Sequence, residues 1–227
     1  MFTKLKQKIK NDKGNAVVVL GLMLIVVSLA VGGMMLDISK AYQFKSSYVE
    51  AAKKSTQSAI RMQNTEGFLT YKSIAETIRV YELVSRPSVM KPTASLSKCG
   101  NSRYMEVYLG YADGNGKAFK AGKFNMNDSR MESLRLGQLN NPNLYNVQST
   151  MSTIESMYNL SSLRNQIEAG EFTSITLEMY ESTPNFILPA VFSMYANDEE
   201  REGIMCQRLG VTATASQFVG DEDGEFK

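Results

Sequence analysis

Few residues in this chain could do chemistry, and the missing ones narrow the choice first. The 227-residue sequence contains no histidine and no tryptophan. Without histidine there is no Ser-His or Cys-His nucleophile pair, and the commonest ligand of zinc, iron and copper is gone. A serine activated by a lysine survives that cut, and both Ser88-Val89-Met90-Lys91 and Ser95-Leu96-Ser97-Lys98 match S-x-x-K. Neither is accompanied by S-D-N or K-T-G, and Pro87 and Pro92 give the stretch loop character rather than a helix start. Asp113-Gly114-Asn115-Gly116 has the acid and glycines of a calcium loop. The EF-hand ligand set is absent, however, and Lys117 stands where a ligand belongs, so these residues read as a turn. No P-loop or dinucleotide fingerprint occurs, and no cofactor is called for. Paired carboxylates are compatible with any fold, so a single-span envelope enzyme or sensor domain stands as one alternative.

The two cysteines, Cys99 and Cys206, fit neither a C-x-x-C motif nor a zinc spacing. In an oxidising compartment such a pair forms a disulfide, and a bridge closing a loop of about 100 residues contributes up to ~4.7 kcal/mol in the chain-entropy model. Two buried free thiols are the other reading.

The element that would position everything else is the run from Ala16 to Leu36, AVVVLGLMLIVVSLAVGGMML. It has no ionisable side chain, and Ser28 is its one hydroxyl. At about 1.5 Å per residue it is roughly 31 Å long, close to the ~30 Å hydrocarbon thickness of a bilayer. In lipid a lone segment satisfies its backbone only as a helix. Lys4, Lys6, Lys8, Lys10 and Lys13 precede it against a single acid, Asp12. Such a lysine excess predicts an N-terminus inside and the chain from Asp37 onward outside the cytoplasmic membrane. A cleaved signal is the rival reading, with Ala30-Val31-Gly32 as the small-x-small site, although signal h-regions are usually ~7–15 residues. That rival would make the protein a secreted adhesin.

Net charge is +2, but it is unevenly spread. Basic residues crowd the start, whereas Asp198-Glu199-Glu200-Arg201-Glu202 and the tail Asp221-Glu222-Asp223-Gly224-Glu225 are acidic. A polybasic segment beside a span is drawn to anionic lipid. The exported part has no basic and aromatic stripe, so no nucleic-acid partner is expected.

Past Leu36 the helical pattern continues through Ile38, Tyr42, Val49, Ala52 and Ala59 with no Gly or Pro before Gly67. One helix from Ala16 to about Gln63 would be a rod of roughly 70 Å. Ser28 and Gly32 form a small-xxx-small pair, followed by Gly33, through which another helix could approach closely. A glycine pair that only loosens the helix is the other reading.

Lys13-Gly14-Asn15-Ala16-Val17-Val18-Val19, the apolar run, Leu36-Asp37-Ile38-Ser39-Lys40-Ala41-Tyr42 and Tyr48-Val49-Glu50-Ala51-Ala52-Lys53-Lys54-Ser55 together resemble the N-terminal region of TadE/TadG-like proteins. These are pilin-like components of the tight-adherence (Tad, or Flp) pilus apparatus. Leu209-Gly210-Val211-Thr212-Ala213-Thr214-Ala215 resembles the Val/Thr/Ala strand with which such proteins often finish. The resemblance implies possible processing between Gly14 and Asn15. It also implies a role in pilus assembly or cell adhesion, with pilin-like subunits or the assembly machinery as partners and homo- or hetero-oligomers formed through the N-terminal helix. Polymerising members carry a glutamate five residues after the processing glycine, where this chain has Val19. A carboxylate in a span costs roughly 2.5–3.5 kcal/mol and is kept only for a use. Its absence makes the chain resemble an anchored TadG-like accessory more than a stacking subunit. Asp37 is the family's membrane-boundary acid. It would either pair with a neighbouring stalk lysine or simply face water, and exposed pairs are worth only ~0–1 kcal/mol.

In the exported part, Phe68, Tyr71, Ile74, Ile78 and Tyr81 predict an amphipathic helix over 66–84, which Arg86-Pro87 breaks. Alternation over 103–111 predicts a strand, with 118–124 as its hairpin return. Asn140-Asn141-Pro142 opens a helical region that restarts near Ser161 and stops at Gly170. Strands are predicted over 173–181 and 207–217. Between them Phe186, Ile187, Leu188, Phe192 and Tyr195 belong to the most apolar stretch outside the span. It is either an exposed contact segment or a part of the core.

The expected class is therefore α+β: a long N-terminal transmembrane and stalk helix, then a small antiparallel-sheet head with packed helices. The expected segments are 1–15 basic and cytoplasmic, 16–36 transmembrane, 37–64 helical stalk, 65–218 exported head and 219–227 acidic tail. The function expected from the residues and the resemblance together is a non-enzymatic, single-pass, membrane-anchored pilin-like protein.

Overall fold

The structure, a computed structural model, describes residues 2–85, 103–112, 116–126, 129–140, 146–184 and 206–217. Helix α1 spans Phe2–Ile60. It begins well before the apolar run, since nothing from Phe2 to Ala16 breaks a helix, and it stops three residues short of Gln63. The chain divides into two compact units, 1–42 with 185–207, and 43–184 with 208–227.

In the first unit, α1 presents apolar side chains outward. Val17, Leu20, Met23, Leu29 and Met35 are each more than 60% exposed. One helix stretch, Ala16–Ile60, is long and apolar enough to cross a membrane, and its most apolar window is almost wholly uncovered.

The second unit is the α+β head. The last turns of α1 lie in its core: Tyr48, Ala51, Ala52, Ser55, Thr56 and Ala59 are at most 3% exposed. These positions recur at threes and fours, so they form one stripe, and alanine and hydroxyl residues let neighbours approach closely. The hydroxyls of Ser55 and Thr56 return to the Ala52 carbonyl at 2.8 and 3.1 Å, which satisfies them inside the core. From Gln43 onward, then, the helix is part of the head and not a separate stalk.

A turn follows α1. The Asn64 side chain accepts from Phe68 N–H at 2.8 Å, and Gly67 has φ +86°, a left-handed conformation open to glycine at little cost. This turn delays α2 to Tyr71–Ser85, so Phe68 is a loop residue and not the first apolar position of the helix. Ile74, Ala75, Ile78 and Tyr81 are the buried face of α2.

Strand β1 (Tyr104–Gly110) pairs antiparallel with β2 (Phe119–Asn125) and with β3 (Ser174–Pro184). Strand β4 (Cys206–Ser216) completes the antiparallel sheet, in the order β2-β1-β3-β4. Alternation puts Met105, Val107, Leu109, Ile175, Leu177, Met179, Val211 and Ala213 on the inner face, where they share one core with the helices. The β1–β2 register slips between Val107 and Tyr108, leaving Ala121 as the extra residue of a bulge.

Three more helices complete the cover: α3 (Ser129–Asn140), α4 (Val147–Met157) and α5 (Arg164–Gly170). Asn146 caps α4, its side chain accepting from the N–H groups of Gln148 and Ser149 at 2.9 and 3.2 Å. A 3-10 turn at Leu160–Leu163 joins α4 to α5, so the predicted restart near Ser161 begins as a tightened turn and continues as α5 to Gly170.

Candidate functional site

Three features of the described residues have functional potential: the uncovered apolar length of α1, the outer face of the sheet, and a buried ion cluster.

On α1, Val19, Leu22, Met23, Val26 and Val27 border a shallow, wholly apolar groove. Val19 is therefore an apolar surface residue, 52% exposed. Ser28 and Gly32 are exposed, and a Cβ at Gly32 would meet nothing within 4 Å, so this face has no neighbour among the described residues. Gly33, by contrast, is buried. Asp37 is only 3% exposed, which corrects the reading in which it simply faces water. Gly14 and Asn15 lie inside α1, in helical backbone.

On the outer face of the sheet, register sets Tyr104 opposite Tyr180, with rings stacked 4.8 Å apart, and Glu106 directly opposite Glu178. Two like charges facing each other across strands repel. The neighbours answer that repulsion. Lys117 pairs with Glu178, Lys120 reaches Glu106 at 2.9 Å, and the Tyr108 hydroxyl donates to Glu106 at 2.6 Å. The Tyr108 hydrogen bond, then Lys120, hold the Glu106 carboxyl below the usual carboxylate range. The same bond to Glu106 pushes the Tyr108 phenol up. Hydrogen bonds to Glu178 and Glu106 raise Lys117 and Lys120 respectively. Lys123 sits 3.6 Å over the Tyr104 ring, a cation–π contact. The face is polar, mixed in charge and internally neutralised.

Beneath the sheet, Arg103 lies at the start of β1 with its side chain 6% exposed. Its two terminal nitrogens donate to the carboxylate of Glu82 on α2 at 2.6 and 3.1 Å. Its Nε lies 3.2 Å from Glu181 on β3, ion-pair distance without the alignment of a hydrogen bond. Burial alone would pull the Arg103 guanidinium down, and the charges of Glu82 and Glu181 with the Glu82 hydrogen bonds more than offset this, so it stays charged. Next to this cluster is Tyr81, fully buried, with a hydroxyl that meets no hydrogen-bond partner among the described residues. Burial first, then the Glu181 charge, pushes its phenol well above the ordinary value. Another buried carboxylate, Glu76, accepts from Ser58 at 2.7 Å and from Arg79 Nε at 2.7 Å, tying α1 to α2. These charges are enclosed and paired, bidentately between Arg103 and Glu82 and between Arg79 and Glu76. Such groups lock elements together.

Sequence reasoning missed the Arg103 cluster. Its members lie more than twenty residues apart, and only the isolated placement of charges inside otherwise apolar elements hinted at it. Conversely, the S-x-x-K motifs, Cys99, Asp113 to Asn115, the segment from Phe186 to Tyr195 and the acidic tail lie outside the described residues. Cys206 opens β4, and no disulfide occurs among the described residues. Nor do these residues bring three or more Cys, Asp or Glu side chains together as metal ligands. No family model matches the chain, and no curated protein or solved structure matches it.

Proposed function

We propose that this chain is a non-enzymatic, membrane-anchored pilin-like protein, of the TadG-like accessory type in a tight-adherence pilus apparatus. One observation carries the reading. A single helix, Phe2–Ile60, has its early apolar length uncovered and its final turns, Tyr48 to Ala59, built into the core of an α+β head. Uncovered apolar surface of that length needs lipid or other helices around it. The lysines before Ala16 favour an N-terminus inside and a head outside the cytoplasmic membrane. In this role the head offers a surface to pilus subunits, to the assembly machinery or to an external target, and the helix holds it at the membrane. The enclosed, paired charges of the head agree with a structural and not a catalytic role.

The test is intact mass of the natively expressed protein combined with carbonate extraction and protease protection of spheroplasts. A protein that keeps the lysines before Ala16, resists extraction and exposes its head to external protease is the expected result. A form beginning at Asn15 in sheared filaments would make it a pilus subunit instead. Release after Gly32 would overturn both in favour of a secreted domain.

A further inference from the structure

The two edges of the sheet are built differently. At the β2 edge, Lys120 and Lys123 lie on the strand and Lys117 just before it, and the bulge at Ala121 bends the ladder. Lysines and bulges are the devices by which sheet edges resist pairing with other chains. Strand β4 carries no lysine. Over Cys206–Ser216 it carries no proline, and Arg208 is its one charged residue. No described strand lies beyond it.

The contacts of β4 with β3 show which of its backbone groups face out. Gln217 N–H donates to the Thr173 carbonyl at 3.1 Å, the Thr176 and Thr214 hydroxyls meet at 2.9 Å, and a Cβ placed on Gly210 would lie 3.8 Å from the Tyr180 ring. All three fit one antiparallel register, in which Thr214 is opposite Thr176, Thr212 opposite Glu178 and Gly210 opposite Tyr180. Hydrogen-bonded and non-bonded pairs alternate along such a ladder. Because Gln217 bonds inward, Ala215, Ala213 and Val211 also bond toward β3. Gly210, Thr212, Thr214 and Ser216 therefore turn their N–H and C=O groups to the open edge.

We infer that this edge is a β-augmentation site whose occupant is β4 of a second copy, paired antiparallel about a two-fold axis at Thr212. That centre places Thr212 against Thr212, Gly210 against Thr214 and Arg208 against Ser216. On the inner face it places Val211 against Ala213 and Leu209 against Ala215. No like charges meet, threonine faces threonine, and apolar faces apolar. Every outward backbone group from Gly210 to Thr214 gains a partner, and the two sheets fuse into one of eight strands. Self-pairing of the β2 edge would instead bring lysines together. The inference rests on the head alone and stands whether or not α1 crosses a membrane.

The experiment uses the full chain in detergent micelles. In the paired geometry the two Thr212 Cα atoms are about 5.5 Å apart, within disulfide range. Mild oxidation of Thr212→Cys should give a covalent dimer absent from wild type and from Ser152→Cys, an exposed position on α4. Light scattering should show a wild-type dimer that Thr212→Pro weakens at least about tenfold (~1.4 kcal/mol). Circular dichroism should be unchanged, because this N–H makes no bond to β3. Hydrogen exchange at Gly210, Thr212 and Thr214 should be slow in the dimer and fast on dilution. A monomer at all concentrations, a dimer indifferent to Thr212→Pro, or slow exchange at these amides in a monomer each overturns the inference. The second outcome would put the interface on another surface such as α1, and the third would mean that another part of the chain covers the edge.

Discussion

Replacing Arg103 by methionine tests whether the buried ion cluster sets the stability of the head. In the native protein one guanidinium serves two carboxylates, Glu82 on α2 and Glu181 on β3, with side chains 5% and 9% exposed. Arg103→Met keeps the length of the side chain and removes the charge, leaving two buried acids with no cation between them. Breaking one partner out of a buried pair costs about 3–5 kcal/mol, because the charge left behind has lost both water and its counter-ion. For a unit of this size, 1 kcal/mol moves Tm by about 2–4 °C, so the melting temperature should fall by roughly 6–20 °C. The triple variant Arg103→Met, Glu82→Leu, Glu181→Leu removes all three charges together and should regain most of that loss, since apolar replacement of a whole buried ionic cluster is often neutral or stabilising. The assay is thermal unfolding followed by near-ultraviolet circular dichroism of tyrosine, which reports on packing. A single variant melting within about 2 °C of wild type would refute the reasoning, as would a triple variant no better than the single.

Tyr81→Phe should be neutral to stabilising by about 1 kcal/mol at pH 7 in denaturant titrations, because the lost hydroxyl is buried without a partner among the described residues. The same phenol titrates above its ordinary value in the folded head, so its contribution is complete below about pH 10 and fades as pH rises past 10. Melting curves from pH 8 to 11 should accordingly fall less steeply for Tyr81→Phe than for wild type. Gly67→Ala should cost about 1–2 kcal/mol, measured the same way, since φ is +86° and the new methyl would meet the Gln217 side chain at 2.9 Å. Val26→Lys should reduce membrane integration in a translocation assay by the ~2.5–3.5 kcal/mol of a charge at a span centre. The melting of the head should not change, because Val26 is 59% exposed.

The sequence carried the local part of this fold well. Alternation marked β1, β3 and β4 to within one to three residues at each end, because each strand buries one face and period two is then enforced. The stripe Ile74, Ile78, Tyr81 marked α2, but its start was placed too early: the Asn64 side chain closes a turn around Phe68, and turn chemistry outweighed apolar spacing there. Helix α3 went unseen because Ser129–Asn140 has almost no apolar periodicity and contains Gly137. Pairing information was least legible. Nothing local says that Glu106 would face Glu178, or that Arg103 would gather Glu82 and Glu181, because those contacts follow from strand order and helix placement, which periodicity does not encode. Asp37 shows the same limit, since a lone acid after an apolar run reads as exposed until the tertiary structure buries it.

The position of the Tyr48–Ala59 stripe also bears on biogenesis. It is synthesised early, whereas the strands that finish its core, β3 and β4, are synthesised last. Contacts between segments so distant in the chain form slowly, since the loop between them must close first. Until then, alanines and a tyrosine destined for the interior stand open to any passing apolar surface. The newborn protein has a period of vulnerability that ends only when its final strand arrives, and a chaperone would find its most useful grip on that stripe.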